Sequence, residues 1–178
     1  MENVVVGIAD CRVAGPDQLL STHALGSCIG LALHDPVACI GGLLHFTLPD
    51  SQLDPVRAQE HPCAFADTGL AALLAAMRAR GATLRQLVAR AAGGANMLRG
   101  EPVFDVGRHN YRALHRVLSA YRIPLVAEDC GGRQFRNMSL EVASGRLWVQ
   151  QGNSPMEWLG SVWKGGAPTC LPNAKSGC

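Results

Sequence analysis

The sequence predicts an α/β (α+β) fold in which mixed β-sheets carry helices packed against them. Three observations lead there. Short runs rich in β-branched and apolar residues dominate the first fifty positions and return after position 138. Between them, two stretches carry apolar residues at helical spacing. Each of those stretches is followed by a strand-like run that ends on paired glycines. Strands, then two helix–strand units, then strands again describe helices laid on sheet.

Val4 to Ile8 reads as a short buried strand, and Gln18 to Thr22, after Gly15-Pro16-Asp17, as an extended segment. Ile29 to Leu33 and Ala38 to Leu48 form a β-hairpin across the turn residues His34-Asp35-Pro36, with Gly41-Gly42 marking a bulge or a close backbone approach. Asp50 to Cys63, with two prolines, reads as a surface loop. Asp67 caps a first helix whose apolar face is Leu70, Leu73, Leu74 and Met77 and which Gly81 stops. A second starts near Asn110, presents Leu114, Val117, Leu118 and Tyr121, and ends before Pro124. The following strands, Leu84 to Ala91 and Leu125 to Glu128, run into Gly93-Gly94 and Gly131-Gly132. A last hairpin joins Ser139–Val142 to Arg146–Gln150. One domain is expected over 1–163, with a loose tail over 164–178.

Composition narrows the function classes. Of 178 residues, 48% are hydrophobic and 17% charged, enough for a sizeable core and too apolar for general disorder. Formal net charge is +2, and the arginines form no dense run, which argues against nucleic acid as a partner. Arg78, Arg80, Arg85 and Arg90 are expected at a solvated helix end and strand flanks, and Arg133 with Arg136 either binds a carboxylate or is solvated. No apolar run is long enough to span a bilayer, and the N-terminus does not resemble a secretory signal, so a soluble cytoplasmic protein without membrane insertion is expected. Seven cysteines, an odd number without a Cys-x-x-Cys pair, speak against a disulfide framework or a zinc ribbon.

Cys28 ends the run Thr22-His23-Ala24-Leu25-Gly26-Ser27-Cys28, where small residues lead into a strand, and His45 lies on the partner strand of the hairpin. A thiol beside an imidazole is the minimum for a cysteine nucleophile, because the ring takes the thiol proton and pairs with the thiolate. Thr22 is a candidate to orient that ring. The competing readings are packing residues on neighbouring strands or a metal site built from Cys28, His34, Cys39 and His45. His23, His61, His109 and His115 are expected at the surface or at helix ends. Gly93-Gly94-Ala95-Asn96-Met97 matches no nucleotide-binding loop and reads as a tight turn or a backbone loop shaping a cleft.

Six blocks in order resemble the CheD family of chemoreceptor glutamine deamidases. They are Thr22 to Cys28; His34-Asp35-Pro36 with Gly41 to Asp50; Phe65 to Thr68; Ala92 to Met97; Val106-Gly107-x-x-Asn110; and Glu128 to Gly132. The resemblance covers roughly residues 3–150. It implies a sandwich similar to that of cytotoxic necrotizing factor-type deamidases and a cysteine hydrolase acting on receptor glutamines without metal or organic cofactor. It implies Cys28 as nucleophile, His45 as its histidine and Thr22 as the third member. The implied partners are chemoreceptor cytoplasmic helices as substrate and a CheC-type phosphatase. Two alternatives are a non-catalytic regulator docking on that phosphatase or a receptor, and an esterase on methylated receptor glutamates.

Overall fold

The computed structural model describes residues 1–96 and 105–160. Among these residues ten strands form two five-stranded sheets. One has the order β1-β3-β8-β9-β10, built from β1 (Glu2–Val5), β3 (Gln18–Leu25), β8 (Arg136–Glu141), β9 (Arg146–Gln151) and β10 (Glu157–Leu159). The other runs β2-β5-β4-β6-β7, from β2 (Asp10–Ala14), β5 (Ile40–Phe46), β4 (Ile29–Asp35), β6 (Val88–Gly93) and β7 (Leu125–Cys130). Mixed sheets with helices packed on them are the predicted class.

Alternation along the central strands separates two cores. On β4, Ile29, Leu31 and Leu33 join the helices α2 (Ala66–Ala79) and α3 (Val106–Ala120), meeting Leu70, Leu73, Met77, Leu114, Val117 and Leu118. Ala32 of β4 and Leu43 of β5 instead join Leu20, Leu25, Met138, Leu140 and Leu147 between the two sheets. The central sheet is therefore covered on both faces, which is why β4 and β5 are buried along their whole length. The crossover through α3 gives β6 and β7 their parallel pairing.

Several local expectations change. The first strand ends at Val5, and Ile8 lies exposed in the turn into β2, a strand the sequence reading did not separate. The β4–β5 register is unbroken through Gly41 and Gly42, so these are not a bulge. They are close approaches: a Cβ on Gly41 would sit 2.7 Å from Val142 Cγ2, and one on Gly42 2.7 Å from Met77 Sδ. The stretch read as a loop before α2 holds a short helix, α1 (Pro55–Glu60), and two 3₁₀ turns, Ser51–Leu53 and Pro62–Ala64.

Phe65, not Asp67, stands at the α2 N-cap. Asp67 lies in the first turn, where its carboxylate accepts from Ser51 and complements the helix dipole. Gly81, at φ +101°, follows the end of α2 as expected. The α3 cap is Asp105, which accepts from Arg108 N, and Tyr121 is exposed and lies outside the apolar face. Leu84–Gln86 is a 3₁₀ turn, so β6 begins at Val88. Arg90 and Arg136 are buried and not solvated; Arg136 gives its guanidinium to Asp129 at 2.8 Å and to the Gln134 and Gly131 carbonyls. The expected tail over 164–178 lies outside the described residues.

Candidate active site

Strand β3 carries Thr22 into the space between the sheets, where it is fully buried. The β3–β8 register holds up to Thr22 opposite Met138 and resumes at Leu25 opposite Arg136. Ala24, within that irregularity, adopts φ +56°. A bulge of this kind bends the chain, and here the chain leaves the outer sheet and enters the central one through Gly26-Ser27-Cys28. The turn is held from several sides. Ala95 N donates to Gly26 O and Gly94 N to Cys28 O, both at 2.8 Å. The fully buried Asn110 of α3 donates through Nδ2 to Ser27 O and to Thr47 O, both at 2.9 Å. Gly93 permits the closeness, since a Cβ there would lie 2.2 Å from Cys28 O.

His45 is 1% exposed and sits on β5 opposite Gly30 of β4, with Phe46 opposite Ile29. Cys28 immediately precedes that end of β4 and packs partly buried against the inter-sheet cluster. Alternation places it on the Gly30 side of the strand, diagonal to His45, where neighbours on one face come within side-chain reach. Met138 Sδ and Leu25 Cδ1 fill the space over Gly30, so the surroundings of the imidazole are apolar.

The hydrogen bonds assign the tautomer. The Thr22 hydroxyl donates its proton to Val6 O at 2.8 Å and lies 2.8 Å from His45 Nδ1. With its one proton committed, the hydroxyl can only accept from Nδ1–H, which leaves the Nε2 lone pair as the basic site. Among the described residues Nε2 is buried and has no partner. Burial holds His45 down to about 4. It pushes the Cys28 thiol up, opposed by the thiol's own backbone N–H. Desolvation favours the neutral form of each group, so burial acts against a thiolate–imidazolium ion pair in the unliganded fold.

The metal reading is not supported. Among the described residues no three His, Cys, Asp or Glu side chains are grouped to hold an ion. His34 is instead engaged with Val142 O across the sandwich, and Asp35 accepts from Val37, Ala38 and Thr83 amides. His23, His61, His109 and His115 are exposed. Met97, the end of the fourth sequence block, lies outside the described residues.

Residues 47–151 match the family described as CheD chemotactic sensory transduction. The chain is 50% identical over 168 residues to a probable chemoreceptor glutamine deamidase CheD of Solibacter usitatus, covering 93% of this chain and 99% of that protein. The chain belongs to the CheD family. It is also 46% identical to probable chemoreceptor glutamine deamidase CheD 2 of Anaeromyxobacter dehalogenans, over 86% of this chain and 97% of the relative. A third relative, the probable chemoreceptor glutamine deamidase CheD of Symbiobacterium thermophilum, is 45% identical over 81% of this chain and 89% of its own length.

Within this CheD chain, two side chains that hold the turns around the candidate site were not given that part by the residues alone. Asn110 entered as a helix start and as the end of a block, although its spacing from Gly107 puts both on one helical face. That face meets the loop after β6: a Cβ on Gly107 would lie 2.6 Å from Gly94 O. Arg136 supports the neighbouring loop, bonding Gly131 O while Gly131 N donates to Gly93 O. No helix among the described residues is long and apolar enough to cross a membrane.

Proposed function

We propose that this chain is a protein-glutamine deamidase that converts glutamine side chains of chemoreceptor cytoplasmic helices to glutamate and releases ammonia. One observation carries the reading: the Thr22–His45 hydrogen bond leaves a buried Nε2 lone pair on the side of the sandwich where Cys28 packs. Cys28 is the nucleophile, His45 the base and Thr22 the residue that fixes the ring.

Because burial favours the neutral pair, the thiol proton moves to Nε2 as sulfur attacks the amide carbon, and charge develops only in the reacting complex. The tetrahedral oxyanion is within the province of backbone donors, and the Cys28 amide is one candidate. His45 then returns the proton to the departing amine, leaving a thioester. The same histidine draws a proton from water, and hydrolysis frees the new carboxylate. The product carries one more negative charge on a receptor helix, which alters the pairing of its i+3 and i+4 neighbours.

The catalytic unit is read as residues 1–163, acting in the cytoplasm where receptor signalling helices lie. A CheC-type phosphatase as docking partner is proposed on the family resemblance. The deciding experiment incubates a chemoreceptor cytoplasmic fragment with the protein and with its Cys28→Ala variant, followed by peptide mass spectrometry. Gains of about one mass unit at defined glutamines, with ammonia released by the parent only, are expected from amide hydrolysis. Binding without any gain over several receptors overturns the reading.

A further inference from the structure

Outside the Cys28 site, two cysteines distant in sequence meet. Cys63 Sγ donates to Cys11 Sγ at 3.2 Å across a separation of 52 residues. Both are only partly buried, within reach of a small solute. Neither sits on a loose segment. Cys11 lies on β2, opposite Leu44 in an uninterrupted ladder with β5. Cys63 lies in the Pro62–Ala64 turn, where Thr68 Oγ1 donates to Pro62 O at 2.7 Å and the Thr47 and Leu48 amides both donate to Ala64 O. Two fixed elements therefore hold the sulfurs in contact.

We propose that Cys11 and Cys63 form a redox-active dithiol, a modification site that a hydroperoxide oxidises to a disulfide. The shared hydrogen bond favours the thiolate on Cys11, and Arg12 acts in the same direction, against burial and the Asp10 charge. Cys63 is shifted the opposite way. Cys11 is accordingly the attacking sulfur and Cys63 the resolving one.

The Cys11 thiolate attacks a peroxide oxygen, the O–O bond breaks, and a sulfenic acid forms as hydroxide leaves. Cys63 sulfur then attacks Cys11 sulfur, the S–O bond breaks, and the Cys63 proton leaves with the hydroxyl as water. Overall, two thiols lose two electrons and two protons, and hydrogen peroxide becomes two waters. The other described free thiols lack this arrangement: Cys130 is pushed up to about 12, chiefly by burial, and Cys28 is raised by burial.

The position gives the bond a target. Asp10, beside Cys11, pairs with His45, and Ala9 N donates to His45 O at 2.9 Å. Past the end of β5, Cys63 adjoins Ala64, whose carbonyl receives the Thr47 and Leu48 amides. A disulfide would fasten β2, which pairs with the His45 strand, to the turn that receives the chain as it leaves that strand. The inference does not depend on the deamidase reading.

The test treats the full-length protein, and its Cys28→Ala variant to remove oxidation of the proposed nucleophile, with hydrogen peroxide. Differential alkylation and peptide mapping follow. The expected result is a Cys11–Cys63 linked peptide, formed roughly tenfold faster than any oxidised Cys130 and abolished by dithiothreitol. In Cys63→Ser, Cys11 is expected to stop at sulfenic acid, trapped by dimedone. If that variant fails to fold, the parent's peptide map decides alone. Oxidation of Cys11 without Cys63, or no linked peptide once Cys130 is oxidised, overturns the proposal.

Discussion

Replacing Thr22 by Val tests the proposed chemistry at its least obvious member. The substitution keeps the shape of a fully buried side chain and removes one hydroxyl. That hydroxyl makes two contacts of 2.8 Å, donating to Val6 O and accepting from His45 Nδ1–H. Without it, Nδ1–H has no acceptor in an apolar pocket, and the tautomer protonated at Nε2 gains by about 1–3 kcal/mol relative to the productive one. At about 1.4 kcal/mol per factor of ten, the ratio of productive to unproductive tautomer falls roughly 5- to 150-fold. The rate constant kcat should fall by up to that factor with KM little changed, because the ring acts on the proton and does not grip the substrate. Stability should fall by about 1–3 kcal/mol, or about 2–4 °C in Tm per kcal/mol for a chain of this size. Thr22→Ser retains the hydroxyl and should recover most of the rate. The assay is ammonia release from a receptor fragment, with circular dichroism confirming the fold. A folded Thr22→Val protein with a parental rate, or a Thr22→Ser protein as impaired as the valine variant, would refute the assignment of ring orientation to Thr22.

Three further outcomes are expected. His45 binds a proton at about 4 in the fold and at its ordinary 6.5 when unfolded, so the unfolded chain takes up more protons between those values; stability is full above 6.5 and declines as pH falls towards 4, by up to about 3 kcal/mol, measured by urea unfolding at stepped pH. In His45→Gln that slope should be reduced. Asn110→Ala removes the bonds tying Ser27 O and Thr47 O together, and should lower kcat by about tenfold or more while slowing alkylation of Cys28 relative to Cys130. Gly93→Ala combines a backbone at φ +116° with a Cβ colliding with Cys28 O, and should cost about 1–3 kcal/mol in thermal unfolding and lose activity by displacing the nucleophile turn.

Where residues obey a simple period, the sequence was readable. Leu70, Leu73 and Met77 mark the buried face of α2 because one core faces one side of that helix. The hairpin from Ile29 carries continuous apolar runs because both faces of the sheet are covered. Strand β2, Asp10–Ala14, was overlooked because it lies at a sheet edge and mixes charged and apolar residues over five positions. Arg90 and Arg136 misled for a different reason. Arginine is ordinarily exposed, and Arg136 is buried because the chain turns back after β7 so that its guanidinium meets Asp129 and the Gly131 and Gln134 carbonyls, a geometry that residue type alone does not reveal. In the candidate site, the placement of Cys28 and His45 on neighbouring strands was legible from the hairpin pattern. The His45 tautomer, the burial of both groups and the Asn110 clasp arise from tertiary packing. They required the register of three strands and the placement of α3.

The bond between Thr22 and His45 joins residues of different sheets, β3 in one and β5 in the other. The reactive geometry is therefore absent from either half alone and comes into being only when the halves dock. A nascent or partly melted chain can hold every strand and still lack a competent base. Under the proposed chemistry such a chain would leave bystander glutamines unmodified, so the sandwich would act as a safety interlock: loosening its interior would disarm the thiol while strands persist.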